Sequence, residues 1–172
     1  MTGATKGRPI HSTPVSIARA DKLLLGVVIA SVALGCLLIL QFGFGRDQGI
    51  YAVVADSILH GGMPYRDVWD FKPPGIFCVY AVAELVFGHR MIAPRILEVV
   101  GLLSLYFAFR TIGLELFGSR LAGLLGWMLA VVAEAAQDFW DTGQPESYGA
   151  ILAVWALAMP QKIKSMLIMN AR

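Results

Sequence analysis

RDQGIYAVVADSILHGGMPYRDVWDFKPPG, residues 46–75, decides how this chain is read. The stretch holds four carboxylates, three basic residues and a Lys-Pro-Pro-Gly turn, yet long apolar segments flank it. An ionisable group is costly to place beside hydrocarbon, so charge gathered there usually marks function. We read the stretch as the main part of an outer-face loop, with membrane-spanning helices arranged around it.

The composition agrees. Of 172 residues, 57% are hydrophobic and 15% charged, with a mean hydropathy of +0.66. A soluble domain carries about 25% charged residues, so an integral membrane protein is expected. The net charge of +2, with no basic run outside the N-terminus, excludes a nucleic-acid partner. Cys36 and Cys78 lie in apolar segments without metal-ligand spacing and read as buried thiols. His11, His60 and His89 form no close pair, so no histidine-built metal site is expected.

Taken in order, residues 1–22 form a basic cytoplasmic tail carrying Lys6, Arg8, Arg19 and Lys22. The apolar run Leu23–Leu40 follows, longer than the core of a signal peptide and read as a retained first span. In residues 47–60, Ile50, Val54 and Ile58 recur at helical spacing. This predicts an amphipathic interfacial helix with Asp47 at its N-cap and Gly61-Gly62 at its end. The apolar run 75–88 is only 14 residues long and contains Glu84, so it is read as re-entrant or juxtamembrane. Segments built on Ile96–Phe109, Leu121–Ala136 and Gly149–Met159 supply the later spans, the last interrupted by Pro160.

The fold expected is therefore all-α and integral to the membrane. It has about four transmembrane helices, one interfacial helix and one juxtamembrane helix. Residues 1–22 are the tail and 23–172 the membrane domain, with a first outer loop at 41–94 and a second at 137–148. This arrangement puts Arg110, Arg120, Lys162 and Lys164 on the cytoplasmic side and the acidic loops outside, as the positive-inside rule asks. Arg90 and Arg95 run against it.

Asp47 at an N-cap is explained by capping alone. The functional alternative is a carboxylate that takes a proton from an acceptor hydroxyl. Lys72 precedes two prolines that hold its backbone extended, which suits a fixed cation facing a lipid phosphate. Arg66 is a candidate to add charge-assisted bonds to the same phosphate. Glu146, in DTGQPESYGA, is either a helix-start acid favoured by the dipole or a second catalytic carboxylate. Tyr51, Tyr65, Trp69 and Trp140 read as interface aromatics.

The order DQGIYA, GGMPYRDVWDFKPPG, APRIL, LFGSR and GQPESY resembles the N-terminal part of the polyprenyl-phosphate-sugar-dependent membrane glycosyltransferases. That superfamily includes the protein O-mannosyltransferases and the lipid A aminoarabinose transferases. The resemblance covers roughly residues 47–155, and PYRDVWDFKPPG is its most specific piece. It implies Asp47 and Glu146 as catalytic carboxylates and Lys72, with Arg66, as the donor-phosphate residues. It also implies a polyprenyl-phosphate-linked sugar as donor, a lipid, glycan or protein acceptor, and an outward-facing site in a bacterial inner membrane. No metal ligand is assigned. A divalent metal belongs to the aminoarabinose branch, whose acid before the lysine is replaced here by Phe71, so no cofactor is expected with any firmness. The resemblance stops before the later parts of such enzymes, which makes the chain look like their N-terminal portion. A non-catalytic membrane subunit, or an inactive fragment, is the alternative.

Overall fold

The computed structural model describes residues 14–170, with side chains over residues 21–160. The described residues are all-helical. The order is α1 (Pro14–Gln41), α2 (Arg46–Leu59), α3 (Pro74–Phe87), α4 (Ile92–Phe117), α5 (Arg120–Ala135), α6 (Asp138–Asp141) and α7 (Pro145–Asn170). Among the described residues, two stretches are long and apolar enough to cross a membrane, Asp21–Gln41 of α1 and Ile92–Phe117 of α4. α5 has 16 residues, about 24 Å of helix, and falls short of that length. The expectation of four spans thus meets two helices that qualify by length and composition.

The helices form two packed groups. Val32, Cys36 and Ile39 of α1, four residues of α4, Val131 of α5, and Ile151 and Ala158 of α7 share one apolar core. At the turn joining α4 to α5, a Cβ on Gly113 would lie 2.5 Å from the Gly123 nitrogen, so only glycine lets these backbones approach so closely. The second core belongs to α2 and α3: Tyr51, Val54 and Ala55 against Ile76, Phe77, Tyr80 and Ala81. Tyr51 meets Tyr80 edge-on at 5.5 Å between ring centres. Such a pair contributes about 0.5–1.5 kcal/mol beyond its buried area.

Several expectations change at this level. Part of the predicted tail, from Pro14, is already helical and continuous with α1; residues 1–13 lie outside the described residues. Gly45, not Asp47, is the N-cap of α2, and Asp47 sits in its first turn, where the helix dipole still favours a carboxylate. The expected stripe does face inward, with Val54 buried and Ile50 and Ile58 partly buried against the same core, but the buried face of α2 is wider and also takes in Gln48, Tyr51 and Ala55. Tyr51 is thereby a core residue, not an interface aromatic. Cys36 is buried as expected, but Cys78 is exposed on α3. Pro160 lies inside α7, which continues to Asn170. A proline forfeits one backbone hydrogen bond, and a long helix can bend around that loss.

The apolar run after Lys72 is the 14-residue helix α3, beginning at Pro74 and ending before Gly88. It packs on α2 and α4. Its length is the reason it is not among the spanning candidates. Gln41 of α1, Ile92 of α4, Ala135 of α5 and Pro145 of α7 are consequently helix ends gathered at one end of the bundle. There α2, α3 and α6 are attached by polar contacts: Gln48 and Arg95 to the Phe139 carbonyl and Tyr80 to the Gly143 carbonyl.

Candidate functional site

α2 and α3 run side by side in the same direction, with Tyr51 stacked near both Phe77 and Tyr80. Their first turns therefore meet, which brings Asp47 beside the residue just before the Pro73-Pro74 start of α3. That residue is Lys72, whose carbonyl accepts a hydrogen bond from the Tyr65 hydroxyl at 2.6 Å. α7 starts at Pro145 against the same corner and carries Glu146 in its first turn. The result is a cavity of about 240 Å³ lined by Asp47, Lys72, Gln137, Asp141, Gln144 and Glu146. Every lining residue is polar or charged. A larger cavity of about 330 Å³, between α1 and α5, is lined by Ser31 and otherwise by apolar residues and glycine, with no titratable group.

A buried polar scaffold holds this corner. The Tyr51 hydroxyl donates to Gln144 Oε1 at 2.7 Å. The Gln48 amide reaches the carbonyls of Phe139, Trp140 and Thr142, each at 2.9 Å. Arg95, fully buried, donates to Thr142 Oγ1 at 2.7 Å, to the Gly43 carbonyl at 3.1 Å and to the Phe139 carbonyl at 3.2 Å. Its charge is matched by Glu98, equally buried, at 3.3 Å. Glu98 in turn accepts the Gly143 N–H at 2.7 Å, and Tyr80 donates to the Gly143 carbonyl at 3.0 Å. Gly143 has φ +69°, and a Cβ there would stand 2.8 Å from Arg95 Nη1. Ser147 donates to Glu134 at 2.6 Å, tying the start of α7 to the end of α5.

The electrostatics of the corner converge on Tyr51. Burial pushes its hydroxyl well above the ordinary phenol range, and the nearby charges of Asp47, Asp70 and Glu146 push in the same direction. A neutral tyrosine donor facing Gln144 is the consequence. Asp70 itself is buried, with one oxygen capping the Phe71 N–H at 2.8 Å and the other without a partner.

Three of the four residues singled out from the sequence thus meet in one cavity. Arg66 does not join them: it is exposed and pairs with Asp67 at 2.7 Å. The sequence reading missed the support behind the cavity: Gln48, Tyr51, Arg95 and Glu98, which hold the loop 139–144 by hydrogen bonds. Arg95 had counted only as a charge on the disfavoured side of the membrane. The one available signal was an Arg and a Glu three residues apart at the start of an apolar helix, a spacing that lets them pair.

At the opposite end of the α2–α3 pair, ligand atoms of Asp56, Glu84 and His89 lie within 4.8 Å of one another. Nothing in the linear order of residues signals this grouping, because its members come from two helices and the turn after α3. Three comparisons, with protein-family models, curated proteins and solved structures, found no match to this chain.

Proposed function

We propose that the chain contributes Asp47, Lys72 and Glu146 to the active site of a membrane glycosyltransferase that transfers a sugar from a polyprenyl phosphate to an acceptor hydroxyl. The observation that carries this reading is their convergence. Residues from the first loop, the Lys-Pro-Pro turn and the start of α7 line a single polar cavity. In the reaction, a carboxylate takes the acceptor's proton as its oxygen bonds to the anomeric carbon. The bond from that carbon to the phosphate oxygen breaks, and the electron pair leaves with the phosphate. Asp47 or Glu146 suits the first task and Lys72 the second.

In this reading α1, α4, α5 and α7 cross the membrane, while α2, α3 and α6 lie on the outer face. The apolar core shared by those four helices supports it, as does the gathering of the acidic cavity at one end of the bundle. Arg110 and Arg120 sit toward the other end, around the α4–α5 turn, which suits the cytoplasmic side. Arg95 no longer weighs against this orientation, since its charge is neutralised inside the fold by Glu98. A bacterial inner membrane as location rests on the sequence resemblance alone.

The test uses membranes of cells expressing the native gene, assayed with a panel of radiolabelled polyprenyl-phosphate sugars. Asp47→Asn should lower transfer about 100-fold or more at unchanged protein level. Lys72→Ala should raise the donor KM more than the acceptor KM. Undiminished transfer in Asp47→Asn would sink the assignment. For topology, Asp67→Cys and His89→Cys in a Cys36→Ser, Cys78→Ser background should both react with an impermeant thiol reagent from outside. Labelling of the first alone would place α3 across the membrane.

A further inference from the structure

We propose that Asp56, Glu84 and His89 form a binding site for a divalent transition-metal ion, Zn²⁺ being the natural probe. The inference is independent of the glycosyltransferase reading. His89 Nδ1 lies 3.0 Å from Glu84 Oε2 and 3.8 Å from Asp56 Oδ1. Ligands about 2.0–2.2 Å from a tetrahedral ion stand about 3.3–3.6 Å apart. The existing spacing therefore needs only side-chain adjustment, with the backbones of α2 and α3 unchanged.

Two further observations point to a cation. Glu84 is a carboxylate whose side chain is only 4% exposed, on a helix with no other charged residue, and among the described residues His89 is its one side-chain partner. Burying that charge is expensive without a positive counterpart. Glu84 and His89 also line a cavity of about 430 Å³, which gives an ion a path to the site. His60, one helical turn after Asp56, approaches the same Oδ1 atom of that carboxylate at 3.3 Å. One imidazole with two carboxylates suits Zn²⁺, Co²⁺ or Mn²⁺ better than Ca²⁺, which takes six or more oxygens. Bound there, the ion would join the end of α2 to the end of α3.

The experiment uses the full chain, purified without a histidine tag in mild detergent and stripped with chelator. Zn²⁺ is titrated calorimetrically, and Co²⁺ is followed by its visible absorption. One ion per chain is expected, with Co²⁺ bands typical of four or five ligands. His89→Ala, at an exposed position, and Asp56→Asn, at a half-buried one, should each weaken binding about 10-fold to 100-fold or more, with helicity by circular dichroism unchanged. Glu84→Gln should do the same and tests the buried ligand. Absence of saturable binding to the unmodified chain, or undiminished binding in both His89→Ala and Asp56→Asn, would overturn the proposal.

Discussion

The two ends of the α2–α3 pair, about 21 Å apart along 14-residue helices, carry acidic groups of similar number but are built on different terms. At the starts of the helices, Asp47 and Lys72 meet Glu146 because a separate loop is locked in place by buried hydrogen bonds. At their ends, Asp56, Glu84 and His89 meet directly, with only Glu84 buried. The first corner is held by groups that take no part in its chemistry, so its geometry survives without any ligand. Among the described residues, the second has no comparable set of buried hydrogen bonds behind it. Preorganisation here is a property of the wall behind a cavity rather than of the charges inside it.

The largest test of that contrast is Arg95→Ala. It strands Glu98 in the fold and removes donors from three oxygen acceptors, Gly43 O, Phe139 O and Thr142 Oγ1. Breaking a buried ion pair costs about 3–5 kcal/mol, to be read as lowered resistance to unfolding in detergent. Hydrogen exchange should rise across residues 138–144 while Co²⁺ binding at the far end persists. Equal damage at both ends would show that the two corners are not independent.

Gly143→Ala is next. It places a side chain at φ +69° and against the Arg95 guanidinium. Strain of about 1–3 kcal/mol is expected, again confined to the second loop and read by the same exchange experiment. Tyr51→Phe deletes only the hydroxyl that donates to Gln144. A loss of about 0.5–1.5 kcal/mol should appear in unfolding, with the aromatic packing of α2 on α3 intact.

The smallest effect belongs to the return loop between the two corners. The Arg66 guanidinium, with help from the Met63 N–H, lowers the Asp67 carboxyl to about 2 from an ordinary 3.8. Because the folded value is the lower one, the pair's contribution is complete above pH 3.8 and fades as pH falls toward 2. NMR titration should find Asp67 near that low value, and Arg66→Gln should return it toward the ordinary one. An exposed pair of this kind adds little to overall stability.

Local chemistry was legible in the residues themselves. Apolar runs, prolines and glycines placed α2, α3 and α5 within one residue, since these signals act through backbone and solvation terms that neighbours supply, whereas α1, α4 and α7 each run eight or more residues past the expected apolar segment at one end. The same local reasoning found Asp47, Lys72 and Glu146, because a charge beside an apolar run or a double proline is visible in one dimension. How wide the buried face of α2 is was not visible: beside the Ile50/Val54/Ile58 stripe, the aromatic face of α3 and the carbonyls of the second loop also turn Tyr51 and Gln48 inward. Nor was the pairing of Arg95 with the second loop, 47 residues away at Thr142, or the meeting of Asp56 with Glu84 and His89. By itself the sequence determined helices and the candidates for chemistry. Only the tertiary structure decided which charges stand together, because burial and charge pairing depend on distances between segments that no local pattern encodes.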